Sequence, residues 1–115
     1  MTDVTQIYHL APADRWLHWP DSSPYLPAEY AADGFVHCTA GAARMIEVAN
    51  RFYHDRADAF VVLVLELERL SAPIRWEQPP DDITLFPHLY GPIDRDAVVA
   101  VHQVRRAADG TFIGW

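Results

Sequence analysis

The chain has no lysine and a single cysteine. All nine of its cationic side chains are arginines, so mechanisms that need a Schiff-base lysine or a P-loop lysine are excluded. Cys38 has no second cysteine with which to form an internal disulfide, and no charged segment followed by an apolar stretch opens the sequence. We therefore expect a cytoplasmic protein.

Positive charge is scarce, and long apolar runs are missing. The chain has sixteen acidic and nine basic side chains, which gives a net charge of −7. Such a chain repels phosphate polymers and anionic membrane surfaces. The longest apolar run, 59–65, is far shorter than the roughly 20 residues that a bilayer span needs. We expect neither a nucleic-acid partner nor a membrane partner.

The length of the chain limits its organisation. A chain of 115 residues with 50% hydrophobic content is of a size that forms one core. The sequence shows no repeat, low-complexity segment or linker. We therefore predict one domain over residues 1–115, present as a monomer or a homodimer.

Hydrophobic periodicity predicts an α+β fold. Apolar positions between Ala40 and His54 recur at helical spacing, with Thr39 as N-cap and Glu47 facing Arg51 one turn later. The helix should pack on a sheet through Met45, Ile46, Ala49 and Phe52. The β-branched and aliphatic run 59–65 predicts a central strand covered on both faces. Shorter strands are predicted at 6–10, 35–38, 74–77, 84–90, 98–104 and 111–113, and short helical segments at 13–19 and 27–33.

Three predicted strands each place two polar side chains on one face, because strand side chains alternate. The pairs are His37 with Thr39, Arg75 with Glu77, and His88 with Tyr90. Cys38 points away from His37, which argues against a Cys-His nucleophile pair. We predict that His37, Glu77 and His88 line one concave surface. Each pair taken alone is also explained by an exposed ion pair or a hydrogen-bonded histidine.

Two segments of this sequence carry a resemblance to a known family. They are Gly34-Phe35-Val36-His37-Cys38-Thr39 and Leu85-Phe86-Pro87-His88-Leu89-Tyr90-Gly91-Pro92. The chain resembles the small bacterial family of domain of unknown function 952, also at Ile7-Tyr8-His9, Ala49-Asn50-Arg51-Phe52-Tyr53 and Arg75-Trp76-Glu77. The resemblance follows the chain in order over nearly its whole length.

That resemblance implies a fold and a chemistry. The family is grouped with the ADP-ribosyltransferase-like superfamily, which implies a small split, curved mixed sheet with flanking helices that holds NAD or a related nucleotide. By this resemblance His9 holds the adenosine-side ribose, His37 and Thr39 support the nicotinamide ribose, and Glu77 steadies the reacting sugar. The implied catalytic set is Glu77, His37 and His88. Asn50, Phe52 and Tyr90 complete the expected nucleotide-binding set, and NAD is expected as a substrate rather than as a bound cofactor.

Two other functions stay open at the level of sequence. His9, His37, His88 and Glu77 are the ligands that a metal hydrolase would use, although no His-Glu-x-x-His or Cys-x-x-Cys spacing is present and we predict no metal site. A small-ligand or protein-binding module could also keep a nucleotide cleft without chemistry. His18, His54 and His102 do not belong to any of these polar pairs, and we assign them to the surface.

Overall fold

A computed structural model describes residues 4–115 as antiparallel sheets with flanking helices. The strands are β1 Gln6–Pro12, β2 Val36–His37, β3 Phe60–Glu66, β4 Ile74–Glu77, β5 Phe86–Leu89, β6 Val98–Gln103, β7 Arg105–Arg106 and β8 Phe112–Gly114. The α-helices are α1 Ala13–His18, α2 Tyr30–Asp33 and α3 Ala42–Tyr53. Short 3₁₀ turns occupy Leu67–Arg69 and Arg95–Ala97. The prediction of an α+β architecture is confirmed.

Strand β3 is the central strand of the larger sheet, as its apolar run predicts. It pairs antiparallel with β1 on one side and β6 on the other. Its first six residues are all buried. Val61, Leu63 and Leu65 belong to one core cluster, whereas Phe60 and Val62 belong to a second cluster on the other face. The strand is therefore covered on both faces, and this prediction is confirmed.

The first core cluster joins the two three-stranded sheets. It combines residues of β1 and β3 with Val36 of β2 and Leu89 of β5. Backbone hydrogen bonds of 2.8 Å in both directions between Tyr8 and Thr39 tie the edge of the larger sheet to the end of β2. A second bridge, between Tyr25 and Ile93, closes the other side of this core. The smaller sheet, in the order β2-β5-β4, is held in place by these links.

Helix α3 covers the second cluster but departs from its prediction at its start. Its N-cap position is Gly41 rather than Thr39, and the backbone of Thr39 is already committed to Tyr8. Glu47 pairs with Arg44 at 3.0 Å, one turn earlier, and not with Arg51. Arg51 instead contacts Asp81 and Asp82 of the β4–β5 connection, because that loop passes beside the helix.

The predicted buried face of α3 is correct except at Phe52. Met45 and Ala49 are buried, and Ile46 packs against the same cluster. Phe52 is 60% exposed. In the last turn of the helix Tyr53 packs against Phe60 of β3, with ring centroids 5.4 Å apart, whereas Phe52 points away from this cluster. Phe52 lines a cleft instead.

The sheet is not mixed as the resemblance implied. Every strand pairing within residues 4–115 is antiparallel. Strands β4 and β5 follow each other in the chain and pair like the two arms of a hairpin. Strands β1 and β6 each run in the direction opposite to β3, their common neighbour. In the described part of the chain, no helix has the length and apolarity that crossing a bilayer requires.

Burial of β3 gives a direct test of this fold. Val62→Asp places a carboxylate in a fully buried position, and we expect destabilisation of about 4 kcal/mol or more, with loss of soluble expression. Val101→Asp is the matched control, because Val101 lies on the neighbouring strand and is 43% exposed. The control should change the free energy of unfolding by about 1 kcal/mol or less in urea denaturation. Normal melting of the Val62 variant would contradict the placement of β3.

Candidate active site

A cleft of about 770 Å³ opens between the smaller sheet, the end of α3 and the β4–β5 connection. Its size falls in the range of small-molecule sites. The smaller sheet contributes His37, Glu77, Phe86 and His88, with Phe35 just before β2, Cys38 and Thr39 just after it, and Tyr90 just after β5. Helix α3 contributes Val48, Phe52 and Tyr53, the end of α2 contributes Asp33, and the loops contribute Glu29, Gln78, Pro79 and Pro80. Most of the polar residues that the sequence singled out therefore meet here.

Strand register explains why these polar groups converge. His37 lies directly opposite His88 in the β2–β5 pair, and Glu77 lies opposite Phe86 in the β4–β5 pair. Side chains alternate along each strand, so the residues between them, such as Val36 and Leu89, enter the core. His37, Glu77 and His88 consequently line one concave surface, as predicted. Their chemical roles stay predictions.

Glu77 is the centre of a hydrogen-bonded cluster. Its Oε1 accepts the Nδ1–H of His88 at 2.8 Å and the phenolic O–H of Tyr90 at 2.6 Å. The hydrogen bonds from Tyr90 and then from His88 hold the pKa of Glu77 below its usual value, and the same carboxylate raises the pKa of Tyr90. Glu77 is therefore an anion at neutral pH. Its Oε2 has no hydrogen-bond partner within residues 4–115.

Tyr90 reaches Glu77 because the chain after β5 stays close to the segment that precedes β4. The backbone N–H of Tyr90 donates to the carbonyl of Pro73 at 2.9 Å, which extends the pairing of β4 with β5. A Cβ at Gly91 would lie 2.5 Å from the Cβ of Ala72. Only glycine allows the two segments to approach this closely.

The hydrogen bond to Glu77 fixes the tautomer of His88. Because the carboxylate accepts, Nδ1 carries a proton, and in the neutral ring Nε2 has a free lone pair. The imidazole stacks on Phe35, with ring centroids 4.1 Å apart and an angle of 24° between the planes. His88 is thus an oriented base in an aromatic setting.

A second histidine-carboxylate pair lies beside the first. His37 Nε2–H donates to Asp33 at 2.8 Å, and the rings of His37 and His88 are 5.5 Å apart. Asp33 ends α2, and Gly34 follows with φ +80°, a left-handed conformation that favours glycine. This turn directs the chain into β2 and places Asp33 four residues before His37.

His9 is not part of the cleft lining, contrary to the role implied by the resemblance. It is 1% exposed, and its Nδ1–H donates to the backbone carbonyl of His37 at 2.7 Å. Burial lowers its pKa, so the ring is neutral. Its buried Nε2 has no partner among the described residues. His9 thus lies behind the cleft and supports the strand that carries His37.

Asn50 is a structural residue, contrary to its predicted contact with a nucleotide. Its side-chain amide donates to the carbonyl of Phe112 at 3.0 Å and accepts the Phe112 N–H at 2.8 Å. Both ends of the amide therefore pin β8 to α3. Thr39, Phe52 and Tyr90 do line the cleft, although Thr39 is only 3% exposed.

Sequence reasoning missed several residues of the cleft. Asp33 carried a signal, since it precedes His37 by four residues across a glycine turn. Phe35, Tyr53 and Phe86 lie in the segments that carry the family resemblance, but they were not assigned to the site. Glu29 carried no signal, because only the tertiary fold brings its loop to the sheet. Within the described chain, no group of three or more His, Cys, Asp or Glu side chains could hold a metal ion, so the metal-hydrolase alternative lacks a ligand set there.

Fold and cleft together define a small α+β protein with a histidine- and carboxylate-lined cleft. The profile of the family described as "Protein of unknown function (DUF952)" matches residues 10–101. The chain belongs to this family. No curated protein matches it.

Solved structures of a bacterial protein share this architecture. The crystal structure of protein CC0527 from Caulobacter crescentus is 28% identical, covers 95% of this chain and 94% of its own, and superposes with a TM-score of 0.80. The solution NMR structure of the same protein is 28% identical over 93% of this chain and 90% of its own, with a TM-score of 0.73. The fold is therefore similar to one determined by two experimental methods.

Thiol labelling tests the face assignment of the His37 strand. Cys38 is 3% exposed, and burial raises the pKa of its thiol. Native protein should react with a thiol reagent at least about tenfold more slowly than denatured protein, because the reactive thiolate is suppressed and shielded. The two rates would be measured with excess reagent at the same pH. Equal rates would mean that Cys38 faces solvent and that the assignment is wrong.

The Tyr90 hydrogen bond gives a second test. Tyr90→Phe removes the larger cause of the lowered Glu77 pKa, so we expect that pKa to rise in an NMR titration of the carboxyl group. Tyr53→Phe is the control, since Tyr53 lines the cleft and has no hydrogen bond to Glu77. An unchanged Glu77 pKa in the Tyr90 variant would show that the bond is absent in solution. The lowered pKa of Glu77 stabilises the parent protein at neutral pH, and this contribution is lost as pH falls through the folded-state pKa; the Tyr90 variant should lack part of it at neutral pH.

Proposed function

We propose that the cleft binds NAD or a related nucleotide and that Glu77 and His88 assist cleavage of its N-glycosidic bond, with water or another acceptor as the receiving group. The observation that carries this proposal is the arrangement of Glu77. One carboxylate oxygen is held by His88 and Tyr90, and the other has no partner in the described chain. A fixed anion of this kind suits a reaction in which positive charge develops on a sugar.

Glu77 and His88 act at different steps of the proposed reaction. The bond between the ribose carbon and the nicotinamide nitrogen breaks, and its electron pair leaves with neutral nicotinamide. The charge of Glu77 stabilises the oxocarbenium-like sugar. A water oxygen then bonds to that carbon, and its proton passes to Nε2 of His88, the nitrogen left free by the hydrogen bond to Glu77. The products are nicotinamide, ADP-ribose and one proton.

The resemblance to the ADP-ribosyltransferase-like superfamily supports the same reaction class. Two small sheets connected at one edge, with a cleft beside the smaller one, agree with a split-sheet nucleotide-binding fold. The family description names no substrate, so this support is an analogy between the folds of two groups of proteins. A module that binds the nucleotide without turnover is the alternative that the experiment below separates.

Paired substitutions test the division between binding and chemistry. Glu77→Gln keeps the shape of the side chain and removes its charge, so turnover should fall by about 10²-fold to 10³-fold while NAD affinity changes little. His37→Ala should weaken affinity, because a ring that contacts the ligand acts in ground and transition states alike. Binding would be followed by calorimetry and free nicotinamide by chromatography.

The matched control is Glu47→Gln, the same chemical change on the exposed face of α3, where the partner of Glu47 within residues 4–115 is Arg44. It should leave binding and turnover unchanged. Heat of binding without nicotinamide release from the parent protein would favour the binding module. Neither heat nor release at millimolar NAD would remove the NAD proposal.

A further inference from the structure

Strand β6 forms an open edge of the larger sheet. It is the last strand in the order β1-β3-β6, and within residues 4–115 its backbone is hydrogen-bonded to β3 alone. The opposite edge differs, because the backbone of Tyr8 on β1 is hydrogen-bonded to Thr39. An open strand edge presents a row of backbone groups with which another strand can pair.

Strand register shows which backbone groups of β6 point outward. Just beyond its end, the N–H of Val104 donates to the carbonyl of Phe60 at 3.1 Å. Hydrogen-bonded pairs alternate with non-bonded pairs along an antiparallel ladder, so His102 is the next residue whose backbone bonds to β3. The N–H and C=O groups of Val101 and Gln103 therefore face away from β3 and have no backbone partner among the described residues.

Strand β6 lacks the side chains that keep sheet edges apart. Residues Val98–Gln103 include no proline, lysine, arginine, aspartate or glutamate, whereas β4, the last strand of the smaller sheet, carries Arg75 and Glu77. Val99 and Val101 are 41% and 43% exposed. A register shift leaves Val99 without an opposite residue and confines regular pairing to the part of the strand after it. That part is an uncharged edge with exposed apolar surface, which favours association.

The charges on either side of β6 complement each other. Asp96 lies shortly before the strand and Arg105 shortly after it. Both are exposed, and neither belongs to an ion pair within residues 4–115. When two copies of one strand pair antiparallel about a two-fold axis, the start of each copy meets the end of the other. Asp96 of each copy then approaches Arg105 of the other.

We propose that β6 is a dimerisation edge, at which two copies of this chain pair antiparallel and join their larger sheets into one. A second copy fits this edge because the acidic start and the basic end of the strand match at both ends of a two-fold pairing. No residue of β6 lines the cleft, so the proposal does not depend on the proposed reaction. A single strand pair is a small interface, and we expect a dimer that dissociates in the micromolar range.

Sedimentation equilibrium from micromolar to millimolar concentration tests this proposal. Val101→Lys places an ammonium group on the edge of each copy near the two-fold axis, so the dissociation constant should rise at least about tenfold. Leu17→Lys is the matched control, because Leu17 is 77% exposed on α1, which follows β1 at the opposite edge of the sheet. It should leave the dissociation constant unchanged, and both variants should melt like the parent protein.

Charge reversal tests the two-fold arrangement. Asp96→Arg and Arg105→Glu, each made alone, place like charges beside each other at both ends of the strand pair and should weaken the dimer severalfold. The two changes made together restore opposite charges and should restore the dimer. A double variant as weak as the single ones contradicts antiparallel pairing of two copies.

Amide hydrogen exchange in the parent protein tests the edge without any substitution. The N–H groups of Val101 and Gln103 should exchange more slowly in concentrated than in dilute protein, because they bond to the second copy. The N–H of His102 should show no such dependence, since it already bonds to β3. A chain that stays monomeric at every concentration, or a dimer in which Val101 and Gln103 are no better protected than in the monomer, overturns the proposal.

Discussion

The pairing of β5 with both β2 and β4 is the constraint on which the cleft depends. Antiparallel register places His37 opposite His88 and brings Glu77 to the diagonal position beside it. A shift of one residue on any of these strands would turn the polar side chains into the core and the apolar ones into solvent. The placement of the polar groups of the cleft is therefore set by the register of these strands.

The two sheets have different roles: the larger one carries most of the core, and the smaller one carries the cleft. The larger sheet is covered on both faces of β3 by separate apolar clusters and carries the burial that stabilises the fold. The smaller sheet has only one face in the core, through residues such as Val36 and Leu89. Its other face carries His37, Glu77 and His88, which line the cleft. This division explains how so short a chain keeps a ligand-sized cleft.

The sequence predicted the elements whose signals are local. The apolar run of β3, the helical spacing of α3 and the alternation of His37, Glu77 and His88 all follow from the residues themselves. The N-cap at Gly41 and the exposure of Phe52 could not be predicted, since both depend on where the chain meets another strand. Asn50 was assigned to the nucleotide through the family resemblance, and nothing in the sequence indicated that its amide would bind the backbone of Phe112.

The hydrogen bond from His9 to the carbonyl of His37 has an evolutionary consequence. A replacement at position 9 that does not donate from the same place removes this hydrogen bond from the part-buried carbonyl of His37, at a cost of about 1 kcal/mol. Few side chains can reach that carbonyl from β1 while remaining neutral in the core. Sequence drift at this position is restricted by the geometry of the neighbouring strand, and a histidine would be retained there even in a descendant that had lost every ligand.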